Sequence, residues 1–117
     1  LYFRKDRIEK PLTLLKCIPI KKSMGWCNDI RFPKKYNKLF KIEKTVKHER
    51  LKRKDYKYDL LIPIKYNFKK PITGLGSCIF IHLTKDYKPT AGCIALKEKD
   101  FLIMLKLIKK NSKIKIF

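Results

Sequence analysis

His82 and Cys93 are the residues of this chain best suited to covalent chemistry, and only ten residues separate them. His82 closes the apolar run Ser77-Cys-Ile-Phe-Ile-His82, which has the composition of a β-strand. Cys93 follows Gly92 and opens a second short run, Cys93-Ile-Ala-Leu96. Two such runs, folded back on each other, would set an imidazole beside a thiol. A cysteine attacks as its thiolate and ordinarily titrates near ~8.5, so reactivity at neutral pH needs a neighbouring base or cation. With that base it becomes a nucleophile for acyl transfer. His82 is the histidine near Cys93 in sequence and is the candidate general base. Gly92 permits close backbone approach and unusual torsions, and the N–H groups of Gly92 and Cys93 could face a developing oxyanion. The Thr90 hydroxyl could position the thiol or the substrate. On residue types alone, a buried structural cysteine and a satisfied core histidine remain the plain alternatives.

The elements that must position this pair are mostly strands. Thr13–Ile20 reads as a strand, with Pro19 marking an edge or a bulge. Lys21–Asp29 reads as a loop, with turn chemistry from Gly25 and Asn28-Asp29. Residues 31–57 are densely charged and suggest a long excursion with a short helix around Lys44–Lys52. Tyr58–Tyr66 is the next strand, Lys69–Gly76 a turn-rich connection, and Ser77–Leu83 a strong strand. The period then changes. Phe101, Leu102, Met104, Leu105 and Ile108 share one face of a helix over about Lys97–Lys110. Glu98 and Asp100 near its start and Lys109-Lys110 near its end suit the helix dipole. Lys113–Phe117 alternates as a terminal strand. The expected fold is mainly β and sandwich-like, with one C-terminal amphipathic helix and a final strand, in one domain spanning 1–117.

Composition bounds the possibilities. A chain of 117 residues with 44% hydrophobic content can bury a core as one domain. The longest apolar runs fall short of the ~20 residues a membrane-spanning helix needs. The chain starts Leu1-Tyr-Phe-Arg-Lys, without Met or a signal-type apolar segment, and is expected to be a fragment or processed form. The net charge of +21 invites a polyanionic partner. Lysines outnumber arginines 26 to 5, however, and run the whole length of the chain. Arginine is the usual choice for bidentate contacts to bases and phosphates. Lysine with abundant isoleucine is what an A- and T-rich coding sequence produces, so no specific nucleic acid is expected. Cys17, Cys27, Cys78 and Cys93 form no CxxC, and His48 and His82 lack zinc-finger spacing, so no metal is expected.

The stretch Gly74-Leu-Gly-Ser-Cys-Ile-Phe-Ile-His82 followed by Asp86-Tyr-Lys-Pro-Thr-Ala-Gly-Cys-Ile-Ala-Leu96 resembles the active-site region of L,D-transpeptidases with a YkuD-type catalytic domain. That pattern is a strand histidine followed by Ser/Thr-x-Gly-Cys and an apolar residue. Here it is met by His82, Thr90, Gly92, Cys93 and Ile94. Gly25-Trp-Cys-Asn-Asp29, Tyr36-Asn37, His48-Glu-Arg-Leu51 and Tyr58–Asn67 are similar to preceding segments in one branch of the family. The resemblance implies a β-sandwich-like domain acting in the periplasm or cell envelope, with no cofactor. It implies a peptidoglycan stem tetrapeptide as donor and a second stem peptide as acceptor, and carbapenems as covalent inhibitors. Cys93 would be the nucleophile, His82 the base and acid, and Gly92 part of the oxyanion site. Thr90, Ser77, His48 and Trp26 are the candidate substrate contacts. Ala91 and Ala95 depart from the pattern: many members carry His and Arg there, and the closest-looking branch an acid at the first.

Two other functions are open at this level. The same thiol could serve an L,D-carboxypeptidase, with water resolving the acyl-enzyme. A non-catalytic basic module for nucleic acid or anionic wall polymers would instead need lysines on one face, interleaved with aromatics such as Tyr56, Tyr58 and Tyr66.

Overall fold

The computed structural model describes residues 1–116. Its strands are β1 (Tyr2–Phe3), β2 (Ile18–Pro19), β3 (Met24–Cys27), β4 (Leu39–Lys41), β5 (His48–Arg50), β6 (Leu60–Pro63), β7 (Phe80–Leu83) and β8 (Ile94–Leu96), followed by helix α1 (Glu98–Leu107). One sheet has the order β2-β1-β6-β7-β8 and the other β4-β3-β5. The expected mainly β, sandwich-like fold with one C-terminal helix is what forms.

Both faces of the five-stranded sheet are covered, which is why β6 is apolar throughout and β7 is apolar except for His82. Leu60, Ile81 and Leu83 point to one side and join Phe3, Phe101 and Leu105. Phe101 and Leu105 are fully buried and seat α1 there. Burying each contributes about 1.5–3 kcal/mol. Leu61 and Phe80 point to the other side and pack with Ile20, Trp26, Leu51 and Tyr58, between the two sheets. Trp26 meets Phe80 edge-on with ring centroids 5.4 Å apart, a geometry that adds about 0.5–1.5 kcal/mol to the area buried. The layers are therefore helix, long sheet, short sheet.

Three elements differ from the expectations of the sequence. Met24–Cys27 is not a loop but the middle strand of the short sheet. Gly25 is there for close approach, not for a turn: a Cβ on it would lie 2.8 Å from Ile42 Cγ1. The charged segment around Lys44–Lys52 contains β5 and no helix. Its register against Trp26 and Cys27 supplies backbone hydrogen bonds that local charge does not reveal. Residues 113–116 form no strand, and the expected final residue of that strand, Phe117, lies outside the described residues. Pro19 does lie on an edge strand, β2, where its missing N–H costs no ladder bond.

Two arginines fasten the N-terminal segment. Buried Arg4 binds Asp6 at 2.7 Å and donates to the Arg53 carbonyl at 2.6 Å. Arg7 donates to the carbonyls of Lys54 and Asp55 and to the Asp59 carboxylate. Asp59 holds this segment through Arg7 and through its carbonyl, which accepts from the Arg4 N–H. The turn before β6 is thereby fixed, and with it Tyr58 at the mouth of the intersheet core.

Candidate active site

His82 lies on β7, with β6 on one side and β8 on the other. Alternation along the strand sends Ile81 and Leu83 to the helix side and Phe80 and His82 to the intersheet side. The imidazole is nearly buried and meets the Tyr58 ring at 5.7 Å between centroids. Its Nδ1 is 2.9 Å from the Leu83 carbonyl oxygen. A carbonyl only accepts, so Nδ1 carries the proton in this bond, and in the neutral ring Nε2 holds the lone pair. That is the tautomer a general base requires.

Cys93 immediately precedes β8, which pairs parallel with β7 through Ile81↔Ile94, His82↔Ala95 and Leu83↔Leu96. The same register carried back one step sets Cys93 beside Phe80. Phe80 and His82 are two apart on one strand, so thiol and imidazole share the intersheet side of the sheet. Cys93 packs against the intersheet cluster along with Cys78. Its thiol donates to the Cys78 carbonyl at 3.2 Å, while the imidazole holds the Leu83 carbonyl. Each group is thus parked on its own backbone acceptor.

The electrostatics of the thiol are mixed. Burial pushes the Cys93 thiol above its ordinary range; the Phe80 backbone hydrogen bond opposes this, and Glu49 adds to it. Burial pushes the neighbouring Cys78 thiol up to about 12. All four cysteines are free thiols.

The loop before Cys93 is held by its own residues. Gly92 adopts φ +128°, a conformation that side chains rarely tolerate. The Thr90 hydroxyl donates to the Cys93 carbonyl and closes the turn across Gly92. On the incoming side, Ser77 Oγ donates to the Cys27 carbonyl at 2.7 Å and ties the start of this run to the short sheet. Cys78 then takes φ +59°, a left-handed conformation uncommon for cysteine, and presents its carbonyl to Cys93.

Trp26 is buried in the intersheet core, where Nε1 donates to Asn37 Oδ1 at 2.9 Å. Asn37 in turn donates to the carbonyls of Tyr66 and Asn67. Tyr36 Oη accepts from the N–H groups of Gly74 and Gly76. The Tyr36-Asn37 pair therefore supports the segment leading into β7. His48 stands apart from this group. It pairs with Cys27 and bonds Val46 O through Nδ1 at 2.7 Å. It lies edge-on to Phe40, on the face of β5 opposite to that of Glu49.

Glu49 and Tyr58 face the site without having been singled out for it. Glu49 is paired with Trp26, so its side chain rises on the intersheet side. Tyr58 touches both Phe80 and His82. Because it is buried, it is withdrawn from any aromatic stripe that a nucleic-acid-binding surface would need. Period-2 alternation in His48-Glu-Arg-Leu51 would have put Glu49 and Leu51 on one face, had that segment been read as a strand.

The family model YkuD, the L,D-transpeptidase catalytic domain, matches residues 16–116. No curated protein and no solved structure gives a significant match. Among the described residues, no helix is long and apolar enough to cross a membrane.

Proposed function

The chain belongs to the YkuD family of L,D-transpeptidase catalytic domains, and on that premise we propose that it is a cysteine acyl-transferase acting on peptidoglycan stem peptides in the cell envelope. Cys93 is the nucleophile and His82 the base and acid. The reaction begins when the thiol turns from the Cys78 carbonyl toward His82 Nε2, which takes its proton. Sγ attacks the carbonyl of the third residue of a stem tetrapeptide. The oxyanion faces the N–H groups of Gly92 and Cys93, and preorganised donors of this kind are worth ~10²–10³ in rate. The C–N bond to D-alanine breaks, and His82 returns the proton to the leaving amine. The side-chain amine of a second stem peptide resolves the thioester and gives a 3-3 cross-link. If water does so, the same enzyme is an L,D-carboxypeptidase.

The observation that supports this reading most directly is the bond from His82 Nδ1 to the Leu83 carbonyl, on the strand face that Cys93 shares. In the neutral imidazole this bond puts the proton on Nδ1 and leaves the Nε2 lone pair as the acceptor. Thr90 and Ser77 are assigned here to holding the two segments that flank the thiol, and Trp26 to the core beneath them. The domain is taken as one catalytic unit.

The test is the mass of the intact protein after incubation with a carbapenem, for wild type, Cys93→Ser and His82→Ala. One adduct per chain on wild type, lost in Cys93→Ser and slowed in His82→Ala, is the expected result. Equal labelling of Cys17 or Cys27 would overturn the assignment of Cys93.

A further inference from the structure

A carboxylate near a thiol opposes thiolate formation, and Glu49 rises on the intersheet side against which Cys93 packs. The position of Glu49 follows from the sheets. It is register-paired with Trp26, whose ring packs on Phe80, the residue beside Cys93. Arg53 approaches Glu49 to 3.8 Å but commits its Nε and Nη2 to Asp55 at 2.9 and 2.6 Å. The same guanidinium stacks 4.9 Å from the centroid of the Tyr58 ring, which contacts His82. Glu49, Arg53, Tyr58 and His82 therefore form a continuous rim of contacts leading to the reacting pair. At 39% side-chain exposure, Glu49 is accessible from solvent and weakly neutralised. Its charge reaches the site, since it contributes to raising Cys93, Cys78 and Tyr58, in each case behind burial.

We propose that Glu49 is a specificity-determining residue that gathers a primary ammonium, the acceptor amine, at the Cys93 thioester and so favours aminolysis over hydrolysis. The inference rests on the acyl-transfer reading above and adds which nucleophile resolves the intermediate. The cationic acceptor collects at the carboxylate and loses one proton to solvent through His82. Its lone pair forms the C–N bond, and the C–S bond breaks with its electron pair on Sγ. The second amine proton passes by way of His82 to Sγ and regenerates the thiol. Water carries no charge and gains nothing from Glu49. With 10 acidic against 31 basic residues in the chain, a carboxylate here is a distinct attractor for a cation.

The test measures two products from one acyl-enzyme. A stem tetrapeptide donor is supplied with either a cationic acceptor, a peptide bearing a free lysine-type side-chain amine, or hydroxylamine, which is uncharged at neutral pH. D-alanine release reports acylation, and the ratio of amide to hydrolysed donor reports partition. In Glu49→Gln the ratio with the cationic acceptor is expected to fall at least fivefold, while that with hydroxylamine stays within twofold. Glu49→Asp, which keeps the charge, should retain most of the cationic preference. Because partition is a ratio within the acylated fraction, partial unfolding of a variant does not affect it. An unchanged ratio in Glu49→Gln, or equal losses for both acceptors, would overturn the proposal while leaving the acyl-transferase standing. Failure of the wild-type protein to release D-alanine or to form any Cys93 adduct would instead overturn the acyl-transfer reading itself.

Discussion

The Cys93 thiol donates to the carbonyl oxygen of Cys78 at 3.2 Å, and Cys78 turns that carbonyl toward it by adopting φ +59°. The resting Cys93 thiol is therefore protonated and held on a backbone acceptor. Burial and the charge of Glu49 act in the same direction on it, against the Phe80 backbone. Alkylation of Cys93 by iodoacetamide should accordingly rise with pH through a midpoint above the ordinary thiol value of ~8.5. Glu49→Gln should move that midpoint down. Peptide mapping after alkylation measures both, and a midpoint well below the ordinary value would contradict a stored thiol.

Removing the base has a different signature. His82→Ala should slow acylation of Cys93 by about 10²–10⁴-fold, the usual share of general base catalysis. Because the thiol remains, raising the pH should recover part of the loss. The carbapenem adduct followed over time at pH 7 and at pH 9 checks this.

Gly92→Ala separates space from conformation. The nearest atom a new Cβ would meet is Ile79 Cδ1 at 3.7 Å, an ordinary contact. The φ of +128° is what an alanine resists, at a cost of about 1–3 kcal/mol. The variant should unfold at lower urea, and should lose acylation more steeply than stability, since the turn carries the Cys93 N–H.

Gly25→Ala should fail for the opposite reason. Its φ is ordinary, but the new Cβ would lie 2.8 Å from Ile42 Cγ1 and 3.2 Å from Phe40 Cε1. Overpacking of this kind typically costs ~1–3 kcal/mol. Combining it with Ile42→Ala should recover part of the loss, which a double-mutant cycle by urea unfolding would register as coupling.

Asp29 makes stability depend on pH. Its buried carboxylate takes Nε and Nη2 of Arg31 and the N–H of Lys47, which hold it well below the usual carboxylate range. A depressed folded-state value gives stability that is fully present above the unfolded value of about 3.9 and is lost as pH falls on through the lower folded-state value. Thermal melts of Asp29→Asn should lie below wild type at pH 7, and the gap should begin to narrow only below about pH 4 and persist in part at pH 3.

Much of the fold could be read locally. The spacing of Phe101, Leu105 and Ile108 identified α1, because a helix buries one stripe. The uninterrupted run ending at His82 identified β7, because both of its faces are covered. Met24–Cys27 was hidden because Gly25, Asn28 and Asp29 have turn chemistry, whereas Gly25 serves the close approach of β4. The segment containing β5 was hidden because its strand character comes from pairing with Trp26 and Cys27, over 20 residues earlier in the chain. For the same reason His82 and Cys93 were visible as a pair, while Glu49 and Tyr58 were not: they reach the site through register between distant segments. His48, the residue beside Glu49, goes to the other face, as alternation in a strand requires.

The order of strands in the long sheet assigns different mechanical characters to the two reacting groups. His82 is carried by a strand clamped on both flanks, whereas Cys93 leads into a terminal strand clamped on one. Openings of the native state start at such margins. Amides of Ile94–Leu96 should therefore exchange with solvent deuterium sooner than those of Phe80–Leu83. On the proposed acyl transfer, the imidazole would be the stationary reference of the site and the thiol the part that adjusts to each acyl group.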